Sequence, residues 1–258
     1  MSSYVYGVIP AADAAAWPGA DGLGGAPVHA VVSGDLAALV SDIPDDAKPG
    51  RREDLEAHRR VLGQAIEQGT VIPMRFGIVL DDDDSVCERL LVRHGDKLDE
   101  LIQELDGKVQ MTVRAFYAED ALLRTAIAGD DEIARLNQII GGRPELETHT
   151  ERVALGERVA AAIDRRRARD EEALLERIRP LAADIQVDPP GSDRVALSAQ
   201  LLVRRDARPA LDEAIAELVP ALEGYLAMRY IGPLPPYSFS ALELEPEESA
   251  ETAKTGEQ

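Results

Sequence analysis

The chain has 258 residues, 45% of them hydrophobic, and a formal net charge of -20. Acidity of this degree excludes a nucleic-acid or anionic-membrane partner gripped by clustered Lys and Arg. The single cysteine, Cys87, excludes an internal disulfide and a thiolate metal cluster, and the length points to two domains rather than one core.

Tyr4-Val5-Tyr6-Gly7-Val8-Ile9, closed by Pro10, predicts a buried strand. A Gly-, Ala- and Pro-rich loop follows through Pro27. Its Gly22-Leu23-Gly24-Gly25 has neither the dinucleotide spacing nor the Lys-Ser/Thr pair of a phosphate loop, so no nucleotide site is read there. Residues 28–32 and 36–43 are apolar runs separated by Ser33-Gly34-Asp35, a hairpin pattern. Leu55, Val61, Leu62 and Ile66 recur at helical spacing before Gly69, with His58 on or beside the same stripe. No Cys, His or carboxylate motif surrounds His58. It therefore reads as a hydrogen-bonded histidine at the edge of the core, not as a general base or metal ligand.

Residues 70–80 have strand-like flanks interrupted by Pro73 and Gly77, which predicts an edge strand with a bend. Arg75 stands between Met74 and Phe76. Its guanidinium fork suits two roles equally: anchoring a partner's carboxylate, or locking a loop carbonyl or an acidic neighbour. The four carboxylates Asp81 to Asp84 lack the alternating spacing and glycine of a calcium loop. They precede Ser85-Val86-Cys87-Glu88, a capping-box pattern, so they read as a helix start. A helix is expected over residues 86–105, broken at Gly95, and Asp106-Gly107 turns the chain. Residues 108–117 alternate, with Val109, Met111, Val113, Ala115 and Tyr117 on one face. Together these elements predict an α+β unit whose helices cover one face of an antiparallel sheet.

Residues 119–181 read as helical with a break at Gly141-Gly142 and Pro144. Arg165-Arg166-Arg167 and Arg169, followed at once by Asp170-Glu171-Glu172, read as a solvated helix face rather than a phosphate groove. A second alternating strand spans 195–203, and a helix carrying Leu211, Ile215, Leu218 and Leu222 follows, capped by Asp206 or a neighbour. A strand is expected over 226–231. Strand, helix and strand make half of a ferredoxin-like unit, to be completed by a strand near residues 185–187.

Ile231-Gly232-Pro233-Leu234-Pro235-Pro236-Tyr237-Ser238-Phe239 holds three prolines in nine residues, which rules out a helix or a central strand. A rigid extended strap is predicted, with Tyr237 and Phe239 on one side. Beyond Leu244 the sequence is acidic and almost without apolar residues, the composition of a disordered tail. No apolar run approaches the ~20 residues that cross a bilayer, and the N-terminus lacks a signal-peptide pattern, so a cytoplasmic protein is expected.

Three stretches resemble, in order, the gas vesicle protein F/L family: Tyr4-Val5-Tyr6-Gly7-Val8, Ile72-Pro73-Met74-Arg75-Phe76-Gly77, and Gly232-Pro233-Leu234-Pro235-Pro236-Tyr237-Ser238-Phe239. His58 with Val61 also looks like a His-x-x-Val position of that family. Leu234 stands where the family commonly has Trp, and Gln110 and Met111 stand where a Glu and an aromatic are often found. The resemblance implies an α+β protein of two domains with ferredoxin-like sheets covered by helices. It also implies an accessory, gas vesicle-associated role in vesicle assembly, with the small hydrophobic shell protein and other gas vesicle accessory proteins as partners. It brings no catalytic residue, metal or cofactor, so no enzyme is expected.

The boundaries read from the sequence are 1–118 for an N-terminal α+β domain, 119–184 for a helical connecting segment, 185–244 for a C-terminal ferredoxin-like domain and 245–258 for the tail. Met74, Arg75, Phe76, Pro235, Pro236, Tyr237 and Phe239 are the expected partner-binding residues. The competing reading is a regulatory module that binds a small molecule between ferredoxin-like domains, which rests on fold analogy.

Overall fold

In the computed structural model, which describes residues 1–242, strand β1 (Ser2–Pro10) is buried on both faces. Apolar residues fill its successive positions, so neither face can be left to water. β2 (His29–Ser33) and β3 (Leu36–Ile43) form the expected hairpin, and the first sheet runs β2-β3-β1-β4, with β4 being Ile72–Pro73. β5 (Val79–Leu80) pairs with β1 on the same edge as β4. Pro73 and the bend at Gly77 split that edge into two short pieces, in keeping with the interrupted strand read from the sequence.

Helix α1 (Ala11–Ala14) is a single turn after β1. Helix α2 (Arg52–Gln68) lays Ala57, Val61, Leu62, Ala65 and Ile66 against the sheet face that carries Tyr4, Tyr6, Ala37 and Leu39. Leu55 faces outward instead and is exposed. The opposite face, with Val5, Val8, Ala38 and Val40, meets Val86, Leu90 and Leu91 and then Leu98, Leu101 and Leu105. Those residues come from α3 (Asp83–Ser85) running into a π-helical segment Val86–Val92, and from α4 (Gly95–Leu105). Helices thus cover both faces of this sheet, where the alternating pattern led us to expect one. Asp82, not Ser85, caps the entry, its carboxylate accepting from the Ser85 N–H at 2.8 Å.

The central strand of the second sheet is β6 (Lys108–Tyr117). This strand falls within the expected N-terminal unit, 1–118, but its partners all come from later in the chain. It pairs with β8 (Val195–Arg204) on one side and β9 (Leu226–Leu234) on the other, and β7 (Asp184–Val187) completes the order β7-β8-β6-β9. Helices α5 (Ala121–Ile127), α6 (Asp131–Ile140) and α7 (His149–Ile178) connect β6 to β7, and α8 (Arg208–Ala221) connects β8 to β9. The half unit recognised in the sequence is therefore completed by β6 as well as by β7, giving a ferredoxin-like split βαβ pair. Asp206 does not cap α8; its carboxylate holds Arg204 at 3.0 and 2.7 Å.

One apolar cluster runs from α2 and the inner face of the first sheet into Val109, Met111, Val113 and the inner face of the second. Arg205 adds a polar tie, donating to the carbonyls of Ile66 and Gly69 at the end of α2. The residues expected to form a solvated connector are also packed. α5 and α6 lie on α7, and Asp170 of α7 is buried. Its carboxylate accepts hydrogen bonds from Tyr117, Tyr225 and Arg166, while the Arg166 guanidinium stands 5.0 Å over the Tyr225 ring. A buried carboxylate is tolerated because it is this fully paired.

The proline-rich segment is part edge strand and part turn. β9 ends at Leu234 after a register shift opposite Gln110, and residues Tyr237–Phe239 form one turn of 3-10 helix. Tyr237 and Phe239 consequently do not alternate along an extended run. Pro233 is tolerated because β9 is an edge strand. Gly232 has φ 148°, and a Cβ there would meet the Met111 sulfur at 2.5 Å and the Gln110 carbonyl oxygen at 3.0 Å. Replacing Gly232 by Ala should cost about 1–3 kcal/mol of stability through that overlap. The loss should read as a lower urea midpoint at unchanged slope, whereas Gly191→Ala, in open space, should leave the midpoint unchanged.

Candidate functional site

The two stretches that carry the expected contact residues converge on β1. Met74 donates its N–H to the Tyr6 carbonyl at 2.9 Å, and the Gly77 N–H reaches the Tyr4 hydroxyl at 3.1 Å, so the loop 74–77 is pinned at both ends to one strand. From the other end of the chain, Phe239 packs against the apolar cluster that contains Met74, Val5 and Ile72. Tyr237 lies close enough to Tyr4 to be among the groups that raise its hydroxyl pKa, behind burial as the main cause. The Ser238 N–H donates to the Gln110 side chain at 2.9 Å, which fixes the turn onto β6.

Within this arrangement the seven residues divide by exposure. Met74, Pro235 and Pro236 are buried and can only support the surface; Phe76 and Phe239 are half-buried; Arg75 and Tyr237 are exposed. Arg75 has no hydrogen bond or ion pair among the described residues, so it locks neither a loop carbonyl nor an acidic neighbour. Of the two roles left open by the sequence, the structure does not show the locking one among the described residues. Burial pushes the Tyr237 hydroxyl up to about 12, keeping it a neutral hydrogen-bond donor at any physiological pH, although part of the residue stays accessible.

His58 sits behind this surface, fully buried rather than at the core edge. Its Nδ1 is 2.9 Å from the Tyr4 hydroxyl, its ring stacks on Tyr6, and Phe76 meets it edge-on with centroids 5.7 Å apart. Because the Gly77 N–H occupies a lone pair of the Tyr4 oxygen, the hydroxyl hydrogen is free to point at Nδ1, which places the imidazole proton on Nε2. Nε2 is buried and makes no well-formed hydrogen bond among the described residues, the Met74 backbone being the polar group that acts on the ring. Burial, only partly offset by the Met74 backbone, pulls the His58 pKa from 6.5 down to about 4. A neutral histidine with a tyrosine as its hydrogen-bonding side-chain partner lacks the carboxylate and the open substrate face that general-base chemistry needs.

Among the described residues, two further side-chain clusters were not visible in the sequence. The polar ladder Gln110, Thr112, Gln200 and Asp188 crosses the second sheet through hydrogen bonds of 2.6–3.2 Å. Period-2 alternation marks those positions as one face but does not say which strands are neighbours. A cavity of about 620 Å³ opens between the start of α5 and the middle of α7, with Leu122, Ala160 and Ile163 as its floor and Arg167, Arg194 and Asp164 at its rim. No helix among the described residues is long and apolar enough to cross a membrane.

Stability should follow the His58 titration. The unfolded histidine binds a proton near pH 6.5 and the folded one only near pH 4, so acidification through that window favours the unfolded chain. Between pH 7 and pH 5 the unfolding free energy should fall by about 2 kcal/mol beyond the background of the carboxylates. Urea titrations of His58→Gln across the same range should lose that increment, and an unchanged slope would show that His58 does not titrate between the two states.

The family model described as gas vesicle synthesis protein GvpL/GvpF matches residues 2–241. Gas vesicle protein F of Streptomyces sp. (strain CB03234) is 39% identical over 244 residues, covering 93% of this chain and 99% of that protein. Gas vesicle protein F of Dolichospermum flosaquae is 24% identical over 93% of this chain and 98% of that protein. The fold matches the crystal structure of the gas vesicle protein GvpF from Anabaena sp. PCC7120 with a TM-score of 0.82 at 22% identity, covering 94% of this chain and 99% of that one. GvpF from Microcystis aeruginosa superposes with a TM-score of 0.76, covering 93% and 99%. With the α+β architecture and the three signature stretches in place, the chain belongs to the GvpL/GvpF family of gas vesicle proteins.

Proposed function

We propose that this protein is an assembly factor that binds the small hydrophobic shell protein of the gas vesicle and helps vesicles to nucleate or form. Membership of the family supports a gas vesicle role. The step to a shell partner rests on one observation: residues more than 150 positions apart in sequence are brought together on β1, where they present an unpaired guanidinium and a partly buried phenol. Nothing in the described core requires Arg75. An unpaired Arg beside aromatic rings is a recurrent anchor in protein interfaces, where the rings supply apolar area and the fork binds a carboxylate.

On this reading Arg75, Phe76 and Tyr237 form the contact, and Met74, Pro235, Pro236 and Phe239, the last packed into the cluster on the other face of the first sheet, hold it rigid. A rigid patch loses little entropy on binding. The strongly acidic remainder keeps the complex soluble while the partner's apolar surface is still uncovered. The protein would act in the cytoplasm at the growing vesicle, with no bond-making step of its own.

Co-purification of the full chain with freshly made shell subunit tests the proposal. Wild type should capture the subunit. Arg75→Ala and Tyr237→Ala, both at exposed positions, should each weaken capture roughly tenfold while thermal unfolding stays within a few degrees of wild type. Absence of capture by wild type, or capture untouched by both substitutions, would refute the assignment.

A further inference from the structure

We infer that the middle of α7 forms a binding site for a phosphate-type oxyanion. Arg158, Ala162, Arg165 and Arg169 recur at the spacing of one helical face, and Arg166 flanks them. Facing them are the end of α5 and its link to α6, residues 125–130, and the two walls flank an open cavity of about 310 Å³. That volume is at the small end of ligand sites, suited to a phosphate or short polyphosphate group.

Charge decides what this cavity can hold. Asp130 is shared, 3.0 Å from Arg158 Nε and 4.0 Å from Arg165 Nη2. Asp170 is occupied by Arg166 at 2.9 Å and by two tyrosine hydroxyls. Arg169 has no partner among the described residues. Among the described residues, the guanidinium-bearing Arg165, Arg166 and Arg169 therefore line one cavity with a single carboxylate residue, Asp130, in a chain whose overall charge is -20.

Asp130 cannot simply turn to balance the excess, because it also accepts the N–H groups of Glu132 and Ile133 as the cap of α6. Arg166 is likewise held, by Asp170 and by the Tyr225 hydroxyl at 2.9 Å. Two guanidiniums, those of Arg165 and Arg169, are left one helical turn apart with donors to spare. Adjacent oxygens of a tetrahedral oxyanion would satisfy both and remove their mutual repulsion, and Thr125 offers a hydroxyl on the opposite wall. The sequence shows the arginines beside an acidic run and gives the impression of local neutrality. In the fold Glu171 and Glu172 lie outside this cavity, and Glu172 is engaged by Arg179.

Calorimetric titration of the full chain with inorganic tripolyphosphate at low ionic strength tests the site. Saturable one-to-one binding is expected, weakened roughly tenfold or more by Arg165→Ala or Arg169→Ala, as loss of a charge-assisted bond implies. Arg177→Ala, an exposed position on the same helix paired with Glu217, should leave it unchanged. Adenosine triphosphate binding more tightly than tripolyphosphate would identify a nucleotide as the source of the phosphate; equal affinity would identify free polyphosphate. No heat of binding, equal weakening by Arg177→Ala, or displacement by a glutamate-rich peptide of equal charge at lower concentration would overturn the assignment, the last in favour of an acidic protein segment.

Discussion

The phenolic oxygen of Tyr4 is the point on which the arrangement turns. It lies at the centre of a strand with no accessible face, and it satisfies the buried ring of His58 from α2 and the backbone of Gly77 from the loop beyond β4. An unpaired hydroxyl at that depth would cost several kcal/mol, so the loop and the helix are held in place by the same requirement. Tyr6 repeats the device two residues on, accepting from the Leu23 N–H at 2.8 Å and pairing with Ser41 at 2.8 Å. Two tyrosines on one strand thus fasten two loops, a helix and a neighbouring strand to a core that would otherwise be held by apolar contact alone.

From this follows the way distant segments meet. β1 fixes the loop 74–77, and the apolar cluster on its far side receives Phe239 from the C-terminal turn. The second sheet contributes by carrying β9 as an edge strand next to β6, which aims the prolines back toward the first sheet. Gly232 allows this strand to pass tightly over Met111, and the Gln110 side chain receives the turn that follows. Gln110 and Met111 are therefore direct supports of the strap.

α7 has two different faces along its middle. Toward the sheet, Asp170 joins Tyr117, Tyr225 and Arg166 in a network that makes the long helix part of the core. On another side Arg165 and Arg169 line a cavity whose one carboxylate among the described residues, Asp130, is shared with Arg158. The same run of charges is thus structural at one position and available to a ligand at the next. This distinction arises from the angle of 100° per residue and from what the helix lies against.

Much of the local structure was legible in the sequence. The β1 run, the hairpin turn at Ser33-Gly34-Asp35, the α2 stripe with its end at Gly69 and the strands at 108–117, 195–203 and 226–231 all follow from short-range periodicity and turn chemistry. The signature prolines and aromatics also identified the family. Periodicity is a property of one segment, however, and sheet order is a property of several. Tertiary packing alone decided that β6 joins β8 and β9 and that helices cover both faces of the first sheet. It also decided that Asp170 is buried and that Arg75 has no partner among the described residues. Each of those outcomes depends on which long-range neighbours share a buried space, and the pairing of polar groups in that space is settled only when the chain has closed around it.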